Sequence, residues 1–130
     1  MRAVIVNKTK NNKLEIDDIP KPEPKINEVR IKVFFAGVNR PDILQKKGLY
    51  PPPTGASTRL GLEASGIIEK VGKNVKTLRE GDKVCGLTPG GAYADSVVLR
   101  LFLLHYYLRE LKFALLLLGL HVQINLPMQS

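Results

Sequence analysis

Three side chains in one short stretch have the types and spacing for chemistry: Asn39, Asp42 and Tyr50 of "NRPDILQKKGLYPPP", residues 39–53. A phenol can donate a hydrogen bond to an oxygen as it gains negative charge. Removing one such donor typically costs ~2.7–4 kcal/mol. The amide and the carboxylate can orient a ligand, or hold the loop that presents the phenol. The same residues also make a capped helix followed by a surface loop, with Tyr50 as a packing residue. Residue chemistry alone does not separate the two.

The elements that must position these groups are legible around them. Asn39 is a good helix cap, because its side-chain oxygen can accept from a backbone N–H one turn in. Pro41 falls in the first turn, where a missing N–H costs nothing. Asp42 puts negative charge at the positive end of the helix. Ile43 and Leu44 are expected to anchor the helix, Gly48 to give a left-handed exit, and Leu49 to pack inward. Pro51–Pro53 stiffen the chain behind Tyr50 in an extended form. Arg40 and Gln45 are read as solvent-facing.

Up to about Arg100 the chain reads as β-rich. "RAVIVN" is a short strand, and "KLEIDDIP" alternates with Leu14 and Ile16 on one face. "KPEPK" is a loop whose prolines keep it out of a sheet interior. "EVRIKVFFAGVN" is the clearest strand, with Val29, Ile31 and Val33 alternating with Arg30 and Lys32. "EASGIIEKVG" is another, and Gly66 marks a bulge or a close backbone approach. "GKNVKTLREGDKVCGL" reads as turn, short strand, turn, strand. "AYADSVVL" is a last strand after Gly90–Gly91. Many short strands punctuated by Gly and Pro predict a mainly β, barrel-like domain with short helices.

Composition bounds the function classes. The chain has 130 residues, enough for one domain with a real core. Its 44% hydrophobic and 25% charged residues are those of a globular protein. A net charge of +8 favours anionic partners in general. The basic residues are spread out, with no basic helix bearing interleaved aromatics, so nucleic acid is not an expected partner. One cysteine, Cys85, rules out an intrachain disulfide, and a reducing, cytoplasmic setting is the default expectation. The first residues lack a signal-peptide pattern.

After Arg100 the text changes. Residues 101–130 are leucine-heavy and not clearly periodic, with an apolar run over Phe113–Val122. A membrane helix needs roughly twenty such residues, so no membrane span is expected. Three readings stay open: a buried helix of the domain, an interfacial segment, and a non-native or alternative ending. The division adopted is a domain over 1–100 and a separate leucine-rich tail over 101–130, the last reading favoured.

The order "GVNRPDILQKKGLYPPPTGAS…LGLEASGIIEKVG…GDKV" resembles the N-terminal domain of the medium-chain dehydrogenase/reductase superfamily. Within it the sequence is similar to the zinc-independent quinone oxidoreductases, in particular the p53-inducible type. The resemblance spans Met1–Leu99. It implies a GroES-like β-barrel of the alcohol dehydrogenase N-terminal type. In that family the barrel packs on a Rossmann domain, with NADPH in the cleft between them. By motif, Asn39, Asp42 and Tyr50 are the implied catalytic residues, and Asn39 and Tyr50 are also cofactor-binding. A quinone or conjugated carbonyl is the implied substrate. Where zinc-dependent relatives carry a Cys ligand this chain has "GVNRPD", and where they carry Gly-His-Glu it has "GLEASG", with Leu62 in the histidine place. No metal is therefore expected. Glu63 is read as structural and Cys85 as a buried small hydrophobe.

The 130 residues contain no G-x-G-x-x-G phosphate loop, so the Rossmann domain is absent from this sequence. Half a cleft is not expected to bind NADPH usefully, and the chain alone is expected to be inactive. The uncovered cleft face would be open to association. The alternative function is a truncated isoform that acts as a non-catalytic interaction or regulatory module.

Overall fold

A computed structural model describes residues 1–100 and the backbone of 104–106. Among the described residues, seven strands and one α-helix follow one another. They are β1 (Arg2–Asn7), β2 (Lys13–Asp18), β3 (Glu28–Ala36), α1 (Arg40–Lys46), β4 (Glu63–Val71), β5 (Lys83–Leu87), β6 (Ser96–Arg100) and β7 (Leu104–Tyr106). A 3-10 turn, Lys8–Lys10, joins β1 to β2. The strands form a two-stranded hairpin, β1–β2, and a five-stranded sheet in the order β6-β3-β4-β5-β7. Every pairing is antiparallel.

β3 is the centre because its alternation is the cleanest. Val29 and Ile31 are fully buried, while Lys32, the next residue along the strand, faces solvent. β4 lies beside it in a register interrupted between Arg30 and Ile31 and again between Val33 and Phe35. Each interruption bends the pair and increases its local twist. Gly66 sits at the second one. A Cβ there would lie 1.8 Å from the Lys32 carbonyl oxygen, so the expected close approach is present.

Ala3 bridges Ala94, the Val4 N–H donates to the Tyr93 carbonyl at 2.8 Å, and the Asp95 N–H donates to the Arg2 carbonyl at 2.9 Å. These bonds fasten the hairpin to the segment leading into β6. They also explain why β6 starts at Ser96 and not at Ala92, as "AYADSVVL" suggested. Residues 93–95 spend their backbone groups on β1 first. The core lies between these layers, around Val4, Ile31, Leu60, Ile68, Val84 and Leu99.

Some local expectations are overturned, and one is met on an exposed face. The short strand expected within residues 73–79 does not form. The N–H groups of Gly72, Asn74 and Val75 donate to Glu28, Ile26 and Gly72 carbonyls, which makes a turn against the 20s loop. Leu14 and Ile16 do share a face, but that face is exposed. Ile43 and Leu49 also stand in solvent, Leu49 at 70%. In α1 the inward position is taken by Asp42, and the next residue is rotated about 100° away from it.

The backbone pairing continues past residue 100. β7 meets β5 through Val84↔Tyr106, Cys85↔His105 and Gly86↔Leu104. The remainder of the leucine-rich tail lies outside the described residues.

Candidate functional site

The motif segment divides into two sites at opposite ends of α1. At the N-terminal end, Asn39 has an extended backbone, φ −118° and ψ 158°, and Pro41 lies in the first turn. The Asn39 N–H donates to Asp42 Oδ2 at 2.9 Å. Asp42 is 2% exposed. Its Oδ1 accepts from the Gly61 N–H at 3.2 Å, and its Oδ2 also lies 2.7 Å from the Tyr93 hydroxyl. The same hydroxyl is 2.9 Å from the Gly37 carbonyl. Asp42 was expected among the groups that face a ligand. Instead it is closed off, and its oxygens are used to hold α1, the segment leading into β4 and the Tyr93 segment together.

Glu63, the first residue of β4, completes this cluster. Burial pushes its carboxyl above the ordinary carboxylate range. A hydrogen bond from the Asn39 side chain opposes that, and the nearby Asp42 charge adds to it. Glu63 Oε2 is buried with no protein partner among the described residues. Burial also raises the Cys85 thiol, and Glu63 adds to that shift. Cys85 is a buried residue of β5, as its strand position suggested. Tyr93 is raised as well, first by burial and then by its bond to Asp42, so its hydroxyl is held as a donor.

At the other end of α1, Gly48 has φ +77°, the left-handed exit expected of it. The chain then runs to Tyr50, which is 44% exposed. Seven helical residues separate the two ends by about 10 Å. Tyr50 stands on the wall of a groove of about 380 Å³ with Gln45, Lys46, Pro51, Pro52 and Arg59. Asn39 and Asp42 do not line this groove. Gln45, read as solvent-facing, donates from Nε2 to the Thr58 carbonyl at 3.0 Å and so clasps the proline loop to the helix. Arg40 is exposed, as read.

The sequence profile described as "Alcohol dehydrogenase GroES-like domain" matches residues 25–100. The chain belongs to that family. A GroES-like domain with one short helix and a strand-built core accounts for the expected fold class. A quinone oxidoreductase of Pseudomonas aeruginosa is 40% identical over 87 residues, 66% of this chain and 26% of that protein. Among solved structures, Escherichia coli quinone oxidoreductase complexed with NADPH superposes with a TM-score of 0.65 at 31% identity. That match covers 73% of this chain and 29% of the other. The human synaptic vesicle membrane protein VAT-1 homolog-like protein superposes at 0.72 and 30% identity, over 83% of this chain and 35% of the other. These relatives place the GroES-like domain in the medium-chain dehydrogenase/reductase superfamily. The chain spans about a third or less of their length.

Within the GroES-like domain, sequence reasoning singled out Tyr50 and Asn39 but missed Tyr93 and Arg59. Tyr93 lies in an apolar segment and carries no motif. A buried tyrosine generally needs a partner for its hydroxyl, and that was the available signal. Arg59 looks like one of many dispersed basic residues until the groove is seen. Among the described residues, no group of three His, Cys, Asp or Glu side chains is placed to hold a metal ion, and no helix is long and apolar enough to cross a membrane.

Proposed function

We propose that this GroES-like domain is the substrate-side half of a zinc-independent, NADPH-dependent quinone oxidoreductase. The observation that carries the reading is the place of Tyr50. It is an exposed phenol on the wall of a groove, presented by a glycine turn and stiffened by three prolines. A volume of about 380 Å³ is at the small end of ligand pockets and suits one ring system, not a dinucleotide. The residues present therefore fit the ring end of the reaction. The phosphate end needs a glycine-rich loop that these 130 residues do not contain.

When bound, NADPH supplies a hydride to a quinone or related conjugated carbonyl. Tyr50 donates a hydrogen bond to the acceptor oxygen as charge grows on it. Asn39, at the other end of α1, would line the nicotinamide side, with its side chain hydrogen-bonded to Glu63. Asp42 is a positioning residue that fixes the helix carrying both. The donor set supports zinc independence: Asn39 and Leu62 stand where zinc-dependent relatives carry cysteine and histidine ligands, and a structural or catalytic zinc wants three or four such donors. The chain by itself is inactive or nearly so, because losing the phosphate contacts removes several charge-assisted hydrogen bonds of ~1.5–3 kcal/mol each.

A steady-state assay with NADPH and 2-methyl-1,4-naphthoquinone tests this. The chain alone should show no turnover above background, and the chain joined to a cofactor-binding domain of a quinone oxidoreductase relative should show it. Turnover by the chain alone would overturn the inactive-fragment claim. No turnover by the joined protein would overturn the quinone reading.

A second reading is favoured by the exposed Ile43, Leu49 and Leu87. Exposed apolar side chains gathered into one patch would form an association site. In that reading the chain docks on a longer relative and modulates it. Inhibition or co-elution on mixing with such a relative would support it.

A further inference from the structure

We infer that the groove beside Tyr50 is an anion site, centred on Arg59, which takes a phosphate, carboxylate or sulfonate group carried by the molecule that binds there. The inference deepens the quinone reading and rests on it only for the source of the anion.

The charge balance of the groove is one-sided. Lys8, Lys46 and Arg59 line it, and no carboxylate does. Elsewhere on the surface the chain pairs its bases readily: Arg2 with Asp95, Lys10 with Glu15, and Arg30 with Glu23 and Glu69. Arg59 has no such pairing among the described residues, and its Nε is buried with no hydrogen-bond partner. A buried donor on a permanent cation is costly to leave unmade. Burial lowers the Arg59 pKa with no opposing influence from a neighbouring acid. Arg59 also borders a second depression that contains Glu23 and Glu28. Glu23 is engaged by Arg30 and Lys70, and Glu28 accepts from the Lys25 N–H.

The arginine is also held in place. Its N–H donates to Ser57 Oγ at 3.2 Å, and its carbonyl accepts from the Gly91 N–H at 3.0 Å. The preceding carbonyl, that of Thr58, is clasped by Gln45 of α1. A Cβ on Gly91 would lie 3.5 Å from Arg59 Nη2, so one end of the guanidinium lies close to this glycine, and Arg59 lines both depressions. A guanidinium suits a planar or tetrahedral anion better than a mobile lysine does. The phenol of Tyr50 and the apolar Pro51 and Pro52 share the groove. A flat ring bearing an anionic substituent therefore satisfies both halves.

The test is direct binding to the 130-residue chain, read by calorimetry and amide chemical shifts. The probes are anthraquinone-2-sulfonate, its neutral counterpart 2-(hydroxymethyl)anthraquinone, and inorganic pyrophosphate. The sulfonate should bind at least about tenfold more tightly than the neutral ring, since a charge-assisted hydrogen bond corresponds to that factor or more. The shifts should centre on Lys46, Tyr50 and Arg59, and Arg59→Gln should erase the advantage. Should that variant not fold, Lys8→Gln with Lys46→Gln at exposed and half-buried positions should weaken the sulfonate and flatten its salt dependence. Binding of pyrophosphate alone, dependent on Arg59, would keep the anion site and assign its source to a phosphate, against a quinone in this groove. Equal affinity for charged and neutral rings would keep the quinone reading and overturn the anion site. Absence of Arg59-dependent binding by any anion would also overturn it.

Discussion

The Tyr93 hydroxyl lies 2.7 Å from Asp42 Oδ2 and joins two residues 51 positions apart in the sequence. Tyr93 is 4% exposed and Asp42 2%, so the bond is made away from water. It locks the first turn of α1 to the segment that also carries the Ala3–Ala94 bridge. Phenylalanine at 93 would keep the ring but remove a donor from a buried carboxylate. Tyr93→Phe should lower stability by about 1–3 kcal/mol. Urea unfolding would show this as a lower midpoint with an unchanged slope. An unchanged midpoint would mean that the Gly61 and Asn39 N–H groups satisfy Asp42 on their own.

Glu63 sets a pH signature. Its folded-state pKa is raised from 4.5, mainly by burial. A raised pKa means that the fold favours the protonated form more than the unfolded chain does. The associated stability is fully present below the ordinary value and is lost as pH rises through the folded value. Glu63→Gln should therefore match the wild type in acid and exceed it above that window. Asp95 behaves oppositely: burial alone would raise it, but the bonds from Arg2 outweigh burial and lower it. Its contribution is lost as pH falls, in both proteins alike. The difference between thermal-melt curves from pH 4 to 8 isolates Glu63. Parallel curves would contradict the raised pKa.

Two glycines separate close approach from backbone conformation. A Cβ at Gly66 would collide with the Lys32 carbonyl at the β3–β4 bulge. Gly66→Ala should cost more than about 3 kcal/mol, beyond ordinary overpacking. Gly48 has open space around it but φ +77°. Gly48→Ala should cost about 1–2 kcal/mol, the left-handed penalty alone. Denaturation midpoints would rank the two, and the reverse order would place the bulge elsewhere.

Tyr50 bears on activity and not on stability. In the chain joined to a cofactor-binding domain, Tyr50→Phe should lower kcat by about 10²–10³. The melting temperature should stay unchanged, because Tyr50 makes no hydrogen bond among the described residues and is half-exposed. Equal turnover with and without the hydroxyl would remove Tyr50 from the site.

The sequence by itself determined the helix and most of the strands. Alternation in "EVRIKV", the Asn-Arg-Pro-Asp start of α1, the Gly48 exit and the tight place of Gly66 are local consequences of side-chain period and backbone sterics. The family followed from a long ungapped motif. Tertiary structure decided which faces those elements bury. Leu14, Ile16, Ile43 and Leu49 carry apolar signals yet stand exposed, because burial depends on what packs opposite and not on the residue's own hydrophobicity. Asp42 went the other way. It was read as a helix-terminus charge and a ligand-facing group, but donors brought from Gly61 and Tyr93 make a buried carboxylate tolerable. Arg59 shows the same division: the sequence shows a cation, but only the packed groove shows that no carboxylate lines it beside that cation.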